Sequence, residues 1–149
     1  MSTVAPKDIR DAINTCLGTS LGADWTVIKY IGDVTKNTQL SQNKVYGTRG
    51  LGGGQVTGTT KHLTVTQEFE ITLVRSKLKT SIGDSELENL VLENQRDLLC
   101  CYKDLAASNI GVSYVLNVFD LVWAEPEFIE DGNVVVQRGS FSVTYRCVI

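Results

Sequence analysis

The stretch from Leu63 to Arg75 constrains the fold more than any other part of this chain. Leu63, Val65, Phe69, Ile71 and Leu73 share one side of an extended backbone, with Gln67 the exception. Thr64, Thr66, Glu68, Glu70 and Thr72 share the other. Apolar and polar residues alternating with period 2 predict a half-buried strand of an antiparallel sheet, about 40 Å long if straight. The chain closes on a second alternation. Phe141, Val143, Tyr145, Cys147 and Ile149 face one way, and Ser142, Thr144 and Arg146 face the other.

Helical spacing supplies the covering layer. Between Pro6 and Leu17, the residues Ile9, Ala12, Ile13, Cys16 and Leu17 form one apolar stripe, with proline at the first turn and Gly18 as the stop. A second helix of about 22 residues starts at the capping box Ser85-x-x-Glu88. It carries Leu87, Leu90, Val91, Leu98, Cys101 and Leu105 in a stripe that Asn94 interrupts, and it ends by Gly111.

Trp25–Gly32 reads as a short strand. Val112–Trp123, apolar on both faces, reads as a central one. Pro126 marks an edge or bend, and Asp131-Gly132-Asn133 marks a turn before Val134–Arg138. The expected class is α+β: an antiparallel, twisted sheet with two helices on one face and a long glycine-rich hairpin arm.

With 149 residues, 42% hydrophobic and 21% charged, the chain is expected to form one domain, residues 1–149. This composition excludes a disordered chain, a collagen and a coiled coil. No apolar run approaches 18 residues, so no membrane span is expected. The first ten residues carry no apolar core of a secretory signal. Cys16, Cys100, Cys101 and Cys147 are therefore read as reduced thiols in a cytosolic setting.

Residues 35–61 differ in character. They hold six glycines and the cations Lys36, Lys44, Arg49 and Lys61, with no acid. Leu40, Val45, Tyr46, Leu51 and Val56 are the only large apolar residues, too few for a core. The expectation is a mobile basic arm between two strand ends, ordering on assembly. Glu125, Glu127, Glu130 and Asp131 crowd a later hairpin with the opposite sign. Set on opposite sides of a subunit, arm and hairpin would meet between copies, and such heterologous contacts close into rings. The candidate contact residues are Lys44, Val45, Tyr46, Arg49 and Leu51 on the arm, and Glu125, Glu127 and Glu130 on the hairpin. Val45, Tyr46 and Leu51 are the expected apolar anchors.

Nothing in the pattern points to turnover. His62, the one histidine, has no nucleophile at a matching position. Gly50-Leu51-Gly52-Gly53-Gly54-Gln55 is neither a dinucleotide fingerprint nor a phosphate loop. With no CxxC spacing, a zinc site lacks ligands. No catalytic residue, metal or cofactor is expected. A net charge of −3 argues against nucleic acid held by overall charge.

The order of elements resembles the tail terminator (tail-completion) proteins of long-tailed bacteriophages and the related neck proteins. Three features carry this. A helix, Pro6–Leu17, feeds a strand at Trp25-Thr26-Val27-Ile28. A loop-bearing hairpin ends in the strand Thr64–Leu73. A helix over Ser85–Leu105 precedes strands ending in Ser140-Phe141-Ser142-Val143-Thr144-Tyr145.

The resemblance implies a non-enzymatic virion protein of the tail or neck, assembled in the host cytoplasm. It implies a homo-oligomeric ring, usually of six subunits, that caps the tail tube and joins it to the head connector. Partners are then other copies, the tail tube protein and head-connector or neck proteins. DNA passes only transiently through the lumen, and no membrane is involved. The glycine-rich arm departs from many members of that family. A rival reading is a small cystatin-like α+β domain, ligand-binding or catalytic, with a pocket lined by Phe69, Tyr114, Phe119 or Trp123. Another phage neck component is a third.

Overall fold

A computed structural model describes residues 5–28, 44–59, 61–76, 84–129 and 134–148, the side chains of 84–86 and 148 excepted. The elements run α1 (Pro6–Leu21), β1 (Thr26–Val27), β2 (Lys44–Gly58), β3 (His62–Ser76), α2 (Asp84–Ser108), a 3-10 turn (Asn109–Gly111), β4 (Val115–Trp123), β5 (Glu127–Ile129) and β6 (Val134–Val148). The fold is α+β, with two helices and a six-stranded sheet in the order β1-β2-β3-β6-β4, β5 pairing with β6. All pairings are antiparallel except β1 with β2.

The two alternating segments sit side by side. β3 and β6 pair along their full lengths, from His62 opposite Val148 to Ser76 opposite Val134. This register brings Phe69 against Phe141 and Ile71 against Gly139, on the face that both helices cover. Ile9, Ile13 and Leu17 of α1 and Leu98, Cys101 and Leu105 of α2 are buried there. Tyr102 of α2 meets Phe141 edge-on, with ring centroids 6.0 Å apart. Val45, Val74 and Val136 follow one another in register on the opposite face, within a second buried cluster that includes Val134 and Ile28.

Several sequence expectations are corrected. α1 does not stop at Gly18 but continues to Leu21, and Gly22, with φ of +96°, caps it. Gly18 instead lets the helix approach β2: a Cβ there would lie 2.8 Å from the Tyr46 hydroxyl oxygen. β1 spans two residues only, and it pairs parallel to β2. Residues beyond 28 of the expected Trp25–Gly32 strand lie outside the described residues.

Residues 44–58 are a strand, not a loop. Backbone N–H and C=O groups need no side chain to pair, and β3 offers them a ladder over most of its length. Residues 35–43 of the expected arm lie outside the described residues, as does the turn at 131–133. The inner strands are β3 and β6. β4, expected there, is an edge. The helix starts at Asp84, one residue ahead of the expected capping box at Ser85, whose side chain lies outside the described residues.

Candidate functional site

The sheet presents two long edges on opposite sides. β1 covers β2 only at Val45 and Tyr46, with one further bond from the Ile28 N–H to the Tyr46 carbonyl, 2.8 Å. From Gly47 to Gly58 the outer edge of β2 has no strand partner among the described residues. Residues 49–59 are exposed, apart from half-buried Leu51. A bulge between Gly50 and Gly54 bends this stretch, and Gly53 takes φ of +91°. At its end Gly58 has φ of +110°, and a Cβ would fall 2.2 Å from the His62 carbonyl oxygen. Only glycine fits there. The turn closes with reciprocal Thr59 and His62 backbone bonds of 3.2 Å.

The other edge is β4 followed by β5, both lying along β6. β4 is interrupted twice, between Val115 and Asn117 and between Phe119 and Val122. Asp120 sits at φ of +61° within the second bulge. Gln137, fully buried, ties down the bend between the strands. Its Nε2 donates to the carbonyls of Ala124 (2.7 Å) and Arg138 (3.2 Å). Val122 is 66% exposed and Trp123 46%, unusual for side chains of this size. With Leu99 of α2 and Leu121 they line a shallow groove of about 400 Å³.

The sequence candidates divide between these edges and the interior. Val45 and Tyr46 are core residues of their own chain, so neither is an exposed anchor. Lys44 is half-buried at the start of β2, opposite Arg75. Arg49 Nε donates to Glu70 Oε1 at 2.8 Å, and Glu70 also meets Arg138 at 3.4 Å. Arg138 Nε in turn lies 3.5 Å from Glu127. Arg49 and Glu127, on distant segments, are thus the ends of one four-residue chain of charges on the sheet face opposite the helices, within a single subunit. Leu51 sits in the bulge, Glu125 is exposed at the bend, and Glu130 lies outside the described residues.

The four aromatic residues of the expected pocket are not gathered. Phe69 is in the core, whereas Trp123 faces out on the edge. A larger groove, about 620 Å³, lies between α1 and the end of α2, lined by Ala12, Cys16, Ala107, Ile110 and Val112 among others. Its hydroxyls are engaged internally. Thr15 and Thr19 donate to carbonyls one turn back, Ser108 to the Asp104 carbonyl, and Ser20 to Asp104 Oδ2 at 2.7 Å. The Cys16 thiol donates to the Ile110 carbonyl, and burial pushes its pKa up. Such a groove offers apolar contact without free hydroxyl donors. Among the described residues, no group of three His, Cys, Asp or Glu side chains is placed to hold a metal ion.

One cluster was missed by the sequence reading. Arg75 lies buried beneath Trp25, its guanidinium 5.1 Å from the ring centroid, and it bonds Asp97 of α2. The signal was present: Arg75 continues the apolar register of Ile71 and Leu73, which puts it under the helices.

No protein-family model matches the chain, and no curated protein matches it. Among solved structures it is similar to a chain of the virion of a native gene transfer agent (GTA) particle. The two are 10% identical, 95% of each chain is covered, and the TM-score is 0.35.

Proposed function

We propose that this chain is a structural virion protein that forms a ring, terminates a phage tail tube and joins it to the head connector. It acts by contact, without turnover. The observation that carries this reading is the outer part of β2, a glycine-rich strand exposed along residues 49–59 whose outer edge has no strand partner among the described residues. Unpaired strand edges are templates for another chain, and a long exposed one calls for a partner. The element order of the tail terminator proteins points the same way.

Lys44, Arg49 and Leu51 on β2, and Glu125, Glu127 and Glu130 across the sheet, are the proposed contact residues. Each exposed ion pair contributes about 0.2–1 kcal/mol. Such pairs set register and encounter rate more than affinity. The ring has six subunits in this reading, the exposed residues 49–59 reach the neighbouring copy, and DNA passes through without being held. An acidic chain suits that role.

Immunogold electron microscopy of the phage particles with antibodies to this chain tests the proposal. Label at the junction of tail tube and head is expected. Particles that carry no label there refute it.

A further inference from the structure

The two edges of the sheet carry opposite charge. The segment from Lys44 to Gln67 bears Lys44, Arg49 and Lys61 and no acid, and it builds the β2 edge and its turn. The segment from Val115 to Ile129 bears Asp120, Glu125 and Glu127 and no base, and it builds the β4–β5 edge. The apolar groups are matched as well. Val56 is 60% exposed on β2, and Trp123, Val122 and Leu99 stand out on the other side.

We infer that these edges are the two halves of one contact between copies of this chain. The β2 edge of one copy seats Val56 against the groove of Leu99, Leu121 and Trp123 on the next, and Trp123 is the anchor. The inference rests on the ring reading above and names its interface.

Three observations favour a second copy as the occupant. Arg49 and Glu127 are paired within the subunit, but exposed Lys61 on the β2 turn and exposed Asp120 and Glu125 on the β4–β5 edge are of opposite sign and complement each other between copies. The edges lie on opposite sides of one sheet, so the contact is heterologous and repeats from copy to copy. Pairing of β2 with β1 stops at Tyr46, and beyond it Gly47, Gly50, Gly52 and Gly54 leave the β2 backbone open to close approach. The two bulges in β4 break its ladder, so few main-chain bonds can form across the contact. Anchoring therefore falls to side chains, and a half-exposed tryptophan in an apolar groove is the typical energetic centre of an interface.

The test uses the full chain with a photo-crosslinking benzoylphenylalanine at position 123, mixed with isotope-labelled copies, alongside Trp123→Ala and Leu99→Ser. Sedimentation velocity reads self-association and circular dichroism reads folding. The expected result is an oligomer crosslinked from position 123 to a peptide within residues 47–61 of another copy. Each variant, still folded, should then associate at least tenfold more weakly. An oligomer that both variants form equally well, or a crosslink to a different surface, overturns this interface and leaves the ring standing. A chain that stays monomeric at every concentration, without crosslinks, overturns both.

Discussion

Asp97→Ala tests the buried ion pair directly. The Arg75 side chain is 6% exposed and Asp97 16%. The guanidinium also meets half-exposed Glu93 at 3.6 Å and the face of Trp25. Among the described residues its Nε and Nη1 atoms already lack hydrogen-bond partners. Removing Asp97 takes away the hydrogen bond that Nη2 makes to a carboxylate. Breaking a buried pair from one side typically costs about 3–5 kcal/mol. Glu93 and Trp25 remain, so the expected loss is at the lower end, about 3 kcal/mol. For a domain of this size that lowers Tm by about 6–12 °C. Urea unfolding, followed by tryptophan fluorescence and by circular dichroism with coincident transitions, measures it. Glu93→Ala is the internal control and should cost less than about 1 kcal/mol. Replacing both partners, Arg75→Leu with Asp97→Leu, should recover most of the loss, because no lone charge stays buried. A loss under about 1 kcal/mol for Asp97→Ala refutes the assignment of Asp97 as the partner that neutralises Arg75.

Gln137→Ala removes the two bonds that hold the bend at Ala124 and should cost about 1–3 kcal/mol, with faster amide exchange at residues 124–128. Gly139→Ala places a methyl 3.0 Å from both Leu98 methyls and 3.2 Å from Leu121, and should destabilise by about 1–3 kcal/mol in the same urea assay. Burial pushes the Cys101 thiol up to about 12 from a free value of 9.0, so iodoacetamide at pH 8 should label exposed Cys100 and spare Cys101 in the folded chain. Since the folded-state pKa is the higher one, the stability that keeps this thiol protonated is complete below pH 9 and is lost as pH rises towards 12. Unfolding midpoints that stay flat from pH 8 to 11 would contradict it.

Much of the fold was legible because side-chain periodicity is a local property. β3 and α2 announce themselves by alternation or by an apolar stripe, and the structure places both close to the expected bounds, whereas the expected strands Val134–Arg138 and Ser140–Ile149 are one continuous strand, β6. β2 did not. Its glycines carry no pattern, and its extension comes from main-chain bonds to β3, a segment that begins only after the turn. The end of α1 was misplaced for a related reason. A glycine stops a helix where it takes a left-handed conformation, as Gly22 does, whereas Gly18 answers to the Tyr46 ring on another element. Apolar residues on both its faces predict a central place for β4, which is an edge. Sequence alone cannot separate burial under the chain's own helices from a surface left open for contact.

The candidate site shows the same division. Residue types and spacing show that one segment is basic and acid-free, that another is acidic and base-free, and that no catalytic set stands out. Packing settles where they go. It put Val45 and Tyr46 inside, joined Arg49 to Glu127 through Glu70 and Arg138, and set the two charged segments on opposite edges of one sheet. The physical reason lies in the backbone. Its hydrogen-bonding groups are the same at nearly every residue, so strand order is chosen by how the side-chain faces of distant segments pack together, and that choice is written in no single stretch of the chain.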